Sequence, residues 1–169
     1  MRAVIQRVRS ASVSVDGKSI SAINRGLMVL IGVEVGDTAK DCDTLAIKIM
    51  NLRIFPSVDL LADSVDGTHA NRESPALSKK WDRSVMAIDG EVLCISQFTL
   101  LASVKKNKPS FHHAEKPTLA NELYELAMNN MRKIYGEDSK DKVKPGAFGE
   151  YMQVALINDG PVTIELSSR

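Results

Sequence analysis

The sequence predicts a mixed α/β domain in which two helices cover one side of a system of short strands. Three observations predict it. Two Asp-Gly pairs, Asp16-Gly17 and Asp89-Gly90, fall between extended runs. Helical periodicity is confined to two long segments, and the block Leu27 to Val33 is apolar on successive residues. The length sets the scale: 169 residues correspond to one domain, 1–169, large enough for an ordinary core without staples.

The opening Met1-Arg2-Ala3-Val4-Ile5-Gln6-Arg7-Val8 lacks the ordered regions of a signal peptide and reads as a first strand. Val13 and Val15 then alternate with Ser12 and Ser14 up to Asp16-Gly17, a hairpin signal because both turn positions need positive φ. Ile20 and Ile23 continue the sheet, Arg25-Gly26 breaks it, and Leu27 to Val33 reads as a strand covered on both faces. Asp37 or Thr38 caps a first helix. Its face is Leu45, Ile49 and Leu52, widened by Ile47, Met50 and Ile54, and it ends before Pro56.

Periodicity disappears from Ser57 to Lys80, so 57–86 is an extended loop or insertion. Val85 to Ile88, the turn Asp89-Gly90 and Val92 to Phe98 read as a second hairpin. Pro117 opens the second helix and Gly136 ends it. Leu119, Leu123, Leu126, Ala127 and Ile134 form its stripe with Met131 alongside, and Tyr124, Met128 and Tyr135 read as packing residues. Tyr151 to Ile157 and Val162 to Leu166 are two final strands joined by Asn158-Asp159-Gly160-Pro161.

Composition narrows the function classes. Lysines and arginines number 22 against 21 acids, a net charge of +1, which excludes a polycation. No apolar run approaches the roughly 18 residues of a membrane span, and a cytoplasmic protein is expected. Cys42 and Cys94 sit in apolar patterns without a C-x-x-C partner and read as buried free thiols of a reducing compartment. No cofactor is expected, since neither glycine-rich phosphate-loop pattern occurs. Nor is a metal: His112 and His113 are adjacent, which prevents convergence on one ion, and His69 lies in the long loop.

Three features carry possible chemistry. Ser96 and Thr99 end a strand, with His112 or His113 as a conceivable base, but there is no G-x-S-x-G elbow; the plainer reading is a polar strand end with one buried ring, Phe98. Between Ser103 and Lys116 the chain places Lys105, Lys106, Lys108, His112, His113 and Lys116 around Phe111 against the single acid Glu115. That strip is either a solvated loop or a track for a phosphate backbone. Gly160-Pro161 is a tight strand junction; base rates predict a trans bond, and glycine admits close approach of a backbone or ligand.

Two segments together point further. Ser96-Gln97-Phe98-Thr99-Leu100 and Asn158-Asp159-Gly160-Pro161-Val162-Thr163 resemble the paired signature motifs of the D-aminoacyl-tRNA deacylases. Gln6-Arg7-Val8, Arg53-Ile54-Phe55, Pro109-Ser110-Phe111 and Gly146-Ala147-Phe148-Gly149 resemble the family in order and position, so the likeness spans nearly the whole chain.

The resemblance implies a three-layer α/β/β fold and a homodimer that hydrolyses the ester between a D-amino acid and the terminal adenosine of tRNA. Glycyl-tRNA would also be cleaved and L-aminoacyl-tRNA spared, which is chirality proofreading in translation. It further implies a cis bond at Gly160-Pro161, with that dipeptide entering the partner subunit's site so that its carbonyl oxygens repel an L side chain. Ser96, Gln97, Phe98 and Thr99 then form the catalytic segment: Ser96 and Gln97 shape the adenosine pocket, and the backbone N–H of Phe98, with that of Thr99, meets the oxyanion. Gly160, Pro161, Arg7 and Phe111 would contact or support the substrate. Thr99 is a nucleophile in one view of the family, whereas a backbone mechanism assisted by the RNA is favoured here because no paired base for Thr99 is identifiable.

Departures from the family pattern fall in two places. Segment 57–86 is longer than its counterpart, and Lys108 stands where an arginine commonly precedes Pro-Ser-Phe, keeping the charge but losing the planar fork. Two other classes compete: a non-catalytic nucleic-acid-binding module using the lysine strip, and a generic serine or threonine esterase.

Overall fold

The structure, a computed structural model, describes residues 1–57, 79–136 and 139–169. Its axis is β1 (Arg2–Val15). Residues 2–8 of β1 pair antiparallel with β3 (Gly26–Gly32), and residues 11–15 pair with β2 (Lys18–Ile23). The other edge of β1 is lined from Arg2 to Ser14 by β8 (Gln153–Ser167). Beyond β3 the sheet continues in parallel through β4 (Glu91–Ser96) to β7 (Val143–Pro145). Parallel neighbours need crossovers. Helix α1 (Ala39–Asn51) lies in the first and α2 (Pro117–Tyr135) in the second.

Strand alternation sorts the side chains into two cores. Ala3 and Ile5 of β1, Leu27, Val29 and Ile31 of β3, and Val92 and Cys94 of β4 face the helices. The intervening Met28, Leu93 and Ile95 face away and pack on Val8, Ala11, Val13 and Ile23, so the outer half of β1 with β2 folds over the sheet. Helices, sheet and folded-over strands are the three layers of the expected α/β/β fold. Ile5 and Ala11 have the same parity yet serve different cores. The register shift between Val8 and Ser10, where Arg9 is the extra residue on β1, reverses the alternation between them. Among the described residues no helix is long and apolar enough to cross a membrane.

The first hairpin forms as expected, with Asp16 and Gly17 at φ 49° and 75°. Thr38, not Asp37, caps α1; its backbone N–H and hydroxyl both donate to Asp41 Oδ2 at 2.9 Å. Asp37 is buried instead and accepts from the Met1 ammonium at 2.6 Å and from the Glu34 N–H at 2.6 Å. Ile47 is 53% exposed, because two residues beyond Leu45 a helix has turned about 200°; the buried face is Cys42, Leu45, Ala46, Ile49 and Met50.

Likewise the buried face of α2 begins at Leu123 and runs through Tyr124, Ala127, Met128 and Met131, leaving Leu119 exposed one turn earlier. The second hairpin does not form. Met86–Ile88 is a 3₁₀ turn and β4 pairs in parallel with β3, so Asp89, at φ 51°, reported only its own left-handed backbone. The two final strands are one, β8, interrupted by a bulge. Most of the 57–86 segment, with His69, lies outside the described residues.

Candidate active site

The parallel strands β3 and β4 end side by side, and there the Gln97 N–H donates to the Ile31 carbonyl at 2.7 Å. The chain then leaves the sheet in a 3₁₀ turn, Phe98–Leu101. At the start of that turn the backbone N–H groups of Phe98 and Thr99 have no acceptor among the described residues, as expected for the first donors of a helical turn. They are free to receive an anion.

Phe98 is not the buried ring expected from sequence. It is 56% exposed and meets Phe111 edge to face, with centroids 5.0 Å apart at 77°. Leaving β4 one residue before Phe98 is the reason: the side chain no longer follows the strand's alternation. The two rings edge a cavity of about 490 Å³ walled by Ser96 and Gln97 on one side and by Lys116 and Phe148 on another. Such a volume suits a ligand of nucleoside size.

Thr99 follows Phe98 in the turn and does not line the cavity. Its Oγ1 accepts from Gln97 Nε2, and no imidazole or carboxylate reaches it among the described residues, so its hydroxyl has no base. His112 shares a 2.9 Å hydrogen bond with the Ser110 hydroxyl and meets His113 at a tilt of 43° with ring centroids 3.9 Å apart, so both imidazoles are engaged within their own loop.

Sequence reasoning missed the contribution of Glu115 and Lys116, which close the cavity where α2 begins. It named Phe148 only as part of a glycine-flanked segment. Phe148 rests on Tyr124 with centroids 5.8 Å apart, and the Tyr124 hydroxyl donates to the Cys94 carbonyl at 2.7 Å. Burial pushes the Tyr124 phenol upward and raises the Cys94 thiol to about 12, so both stay protonated.

The other motif forms a separate construction. In the β1–β8 ladder Arg7 alone stands opposite Asp159, Gly160, Pro161 and Val162, and the four-residue bulge pushes Gly160-Pro161 outward. The bond between them is cis, as the resemblance implied. Arg7 braces the bulge from beneath: Nε donates to the Asp159 carbonyl at 3.1 Å and lies 3.2 Å from its carboxylate, while Nη1 donates to the Ile54 carbonyl. This is no surface arginine. Asn158 Oδ1 accepts from the Val162 N–H at 3.0 Å and closes the loop. Gly160 has φ 123°, and a Cβ there would sit 2.8 Å from Arg7 Nη2 and 2.9 Å from Val162 Cγ2, so only glycine fits.

The predicted residues therefore divide. Ser96, Gln97, Phe98 and Phe111 line one cavity with Thr99 beside it, whereas Gly160, Pro161 and Arg7 lie elsewhere. Arg7 pairs with Leu27 and the cavity begins at Ile31, four residues further along β3, about 13 Å at strand rise.

Residues 4–167 match the model of a family described as D-Tyr-tRNA(Tyr) deacylase. A relative from Dictyostelium discoideum, a D-aminoacyl-tRNA deacylase, is 45% identical over 169 residues, covering 100% of this chain and 99% of its own. D-aminoacyl-tRNA deacylase 1 of Homo sapiens is 44% identical over 99% of this chain and 70% of its own. The solved structure of a c-Myc DNA unwinding element binding protein superposes with a TM-score of 0.82 at 44% identity, over 100% of this chain and 99% of that one.

Proposed function

We propose a two-part proofreading site, from the premise that this chain belongs to the D-Tyr-tRNA(Tyr) deacylase family. The chain is a D-aminoacyl-tRNA deacylase: it hydrolyses the ester that joins a D-amino acid to tRNA. In our reading the terminal adenosine occupies the cavity between Ser96, Gln97 and the Phe98–Phe111 pair, which sets the ester carbonyl beside the start of the 98–101 turn. The observation that carries this reading is the pair of unengaged backbone N–H groups at Phe98 and Thr99, next to a nucleoside-sized cavity.

An aminoacyl ester is already reactive, so positioning it and stabilising the developing oxyanion supply most of what catalysis requires. Water attacks the carbonyl carbon, the negative charge builds on the carbonyl oxygen opposite the two N–H groups, and the ribose oxygen leaves with a proton. The RNA's neighbouring hydroxyl assists that transfer, and Thr99 is not the nucleophile.

Selectivity comes from a second copy of the chain. Gly160-Pro161 lies too far from its own cavity to touch the substrate there, yet it protrudes and is rigidly braced, as a wall supplied to a partner's site would be. The strand that carries it has its outer edge open among the described residues and exposes Val154 and Ile157, with Tyr151 (85% exposed) two residues before its start, apolar surface of the kind that homodimers cover. Its carbonyl oxygens face the α-carbon of the bound ester. An L side chain collides with them, a D side chain points away, and glycine, lacking one, is cleaved. The work belongs in the cytoplasm, where tRNA is charged. Release of D-tyrosine from D-tyrosyl-tRNA by the purified protein, above the spontaneous rate, is the expected result; an unchanged ester half-life overturns the reading.

A further inference from the structure

Residues 103–110 form a small hairpin that the cavity leaves unused. Strands β5 (Ser103–Lys105) and β6 (Lys108–Ser110) pair antiparallel, and Lys106-Asn107 makes the two-residue turn at φ 47° and 62°. Everything from Val104, 67% exposed, to Ser110 faces solvent. The two strands together bury no core residue, so the hairpin's composition answers to something other than packing.

That composition is unfavourable for folding. Lys105 and Lys108 are directly opposed in the ladder, an arrangement that destabilises a strand pair, and Lys106 adds a third ammonium at the turn. No acid occurs between 103 and 114. None of the three ammoniums has an ion-pair or hydrogen-bond partner among the described residues. An anionic ligand would relieve the repulsion.

The position of the hairpin says which anion. Its first strand follows the Phe98–Leu101 turn after one residue, and its second runs directly into Phe111, so it stands on the rim of the cavity that its two basal rings edge. Three residues of strand carry the lysines about 10 Å outward from that rim. A polynucleotide whose last nucleoside fills the cavity must leave it past this rim. We infer that the 103–110 hairpin is a clamp for the phosphodiester backbone of the RNA immediately 5′ to the bound terminal nucleotide. The inference rests on the deacylase reading and deepens it. Lysines on a flexible stem act as point charges, so the clamp is indifferent to base sequence.

The test compares the wild type with the triple variant Lys105→Ala, Lys106→Ala, Lys108→Ala on two substrates, D-tyrosyl-tRNA and D-tyrosyl-adenosine, over a range of salt. For the tRNA ester, kcat/KM falls at least about tenfold at low salt. The slope of log kcat/KM against log salt becomes shallower by about two, at roughly 0.7 for each single-strand phosphate that the variant no longer neutralises. Hydrolysis of the adenosine ester stays within twofold of wild type, and the Lys→Arg triple variant restores the tRNA rate. Equal loss on both substrates, or no change in the salt slope, overturns the clamp. Binding of uncharged tRNA by fluorescence anisotropy gives a reading independent of catalysis: a wild type that cleaves neither ester refutes the deacylase reading, while the clamp still stands or falls on whether the triple variant weakens tRNA binding. A loss confined to DNA, with tRNA affinity unchanged, also overturns it.

Discussion

Arg7 grips Asp159 at two points, through the backbone carbonyl at 3.1 Å and the carboxylate at 3.2 Å, and the same guanidinium reaches across to the Ile54 carbonyl. One side chain thus ties the protruding Gly160-Pro161 bulge to the segment that follows α1. Hydrogen bonds of a charged group contribute about 1.5–3 kcal/mol each. Arg7→Ala is therefore expected to lower kcat/KM for D-aminoacyl-tRNA by about 10- to 100-fold. Arg7→Lys, which cannot span both partners, recovers only part of that loss. Steady-state deacylation kinetics check this, and wild-type values in Arg7→Ala would show that the brace is dispensable.

Thr99 accepts a hydrogen bond from Gln97 and has no base beside it among the described residues. Thr99→Ala keeps the backbone N–H groups of the turn, so deacylation is expected to stay within about tenfold of wild type, one hydrogen bond's worth. Single-turnover decay of D-tyrosyl-tRNA measures it. Complete loss in a folded variant that still binds tRNA would make the hydroxyl the nucleophile.

Gly26 begins β3, and a Cβ placed there would lie 1.8 Å from the Glu91 carbonyl oxygen of the adjoining β4. Backbone cannot yield as a side chain can. Gly26→Ala is expected to cost more than about 3 kcal/mol, at the upper end of overpacking effects. Urea denaturation reads this directly, and a loss under about 1 kcal/mol would mean that the strands separate freely.

Acid unfolding has an identifiable contributor. The Ser168 hydroxyl, together with the Thr38 N–H and hydroxyl, holds the Asp41 carboxyl down at about 2, against the opposing effect of burial. Because the folded value lies below the ordinary 3.8, the stabilisation is complete above that pH and is lost as pH falls toward 2. Glu91 acts in the same direction: burial raises it, but the Lys144 ammonium and the Asn24 N–H outweigh burial and lower it. Denaturation midpoints between pH 5 and 2 should therefore fall less steeply in Asp41→Asn than in the wild type; parallel curves would remove Asp41 from the account.

Much of this architecture was readable from local chemistry. Asp16-Gly17 announced its hairpin and Pro117 its helix because each signal acts within a few residues. The parallel pairing of β3 with β4 was not readable, since nothing local distinguishes a strand that meets a hairpin partner from one that meets a distant neighbour. Ile47 and Leu119 misled because apolar character alone does not say which face of a helix meets the core. In the site, the paired motifs named Ser96 to Thr99 and Gly160-Pro161, but their separation along β3 depends on register, and Asp159 as the partner of Arg7 depends on a bulge. Neither property is written in residue type.

A wall built from Gly160-Pro161 is expected to make the site distinguish the two hands of the amino acid. Incubating D-tyrosyl-tRNA and L-tyrosyl-tRNA separately with equal amounts of the purified protein, and following ester loss in each, tests it most directly. The D ester is expected to disappear with the enzyme-dependent rate while the L ester decays as it does without protein; equal rates for the two would mean that the site is blind to hand.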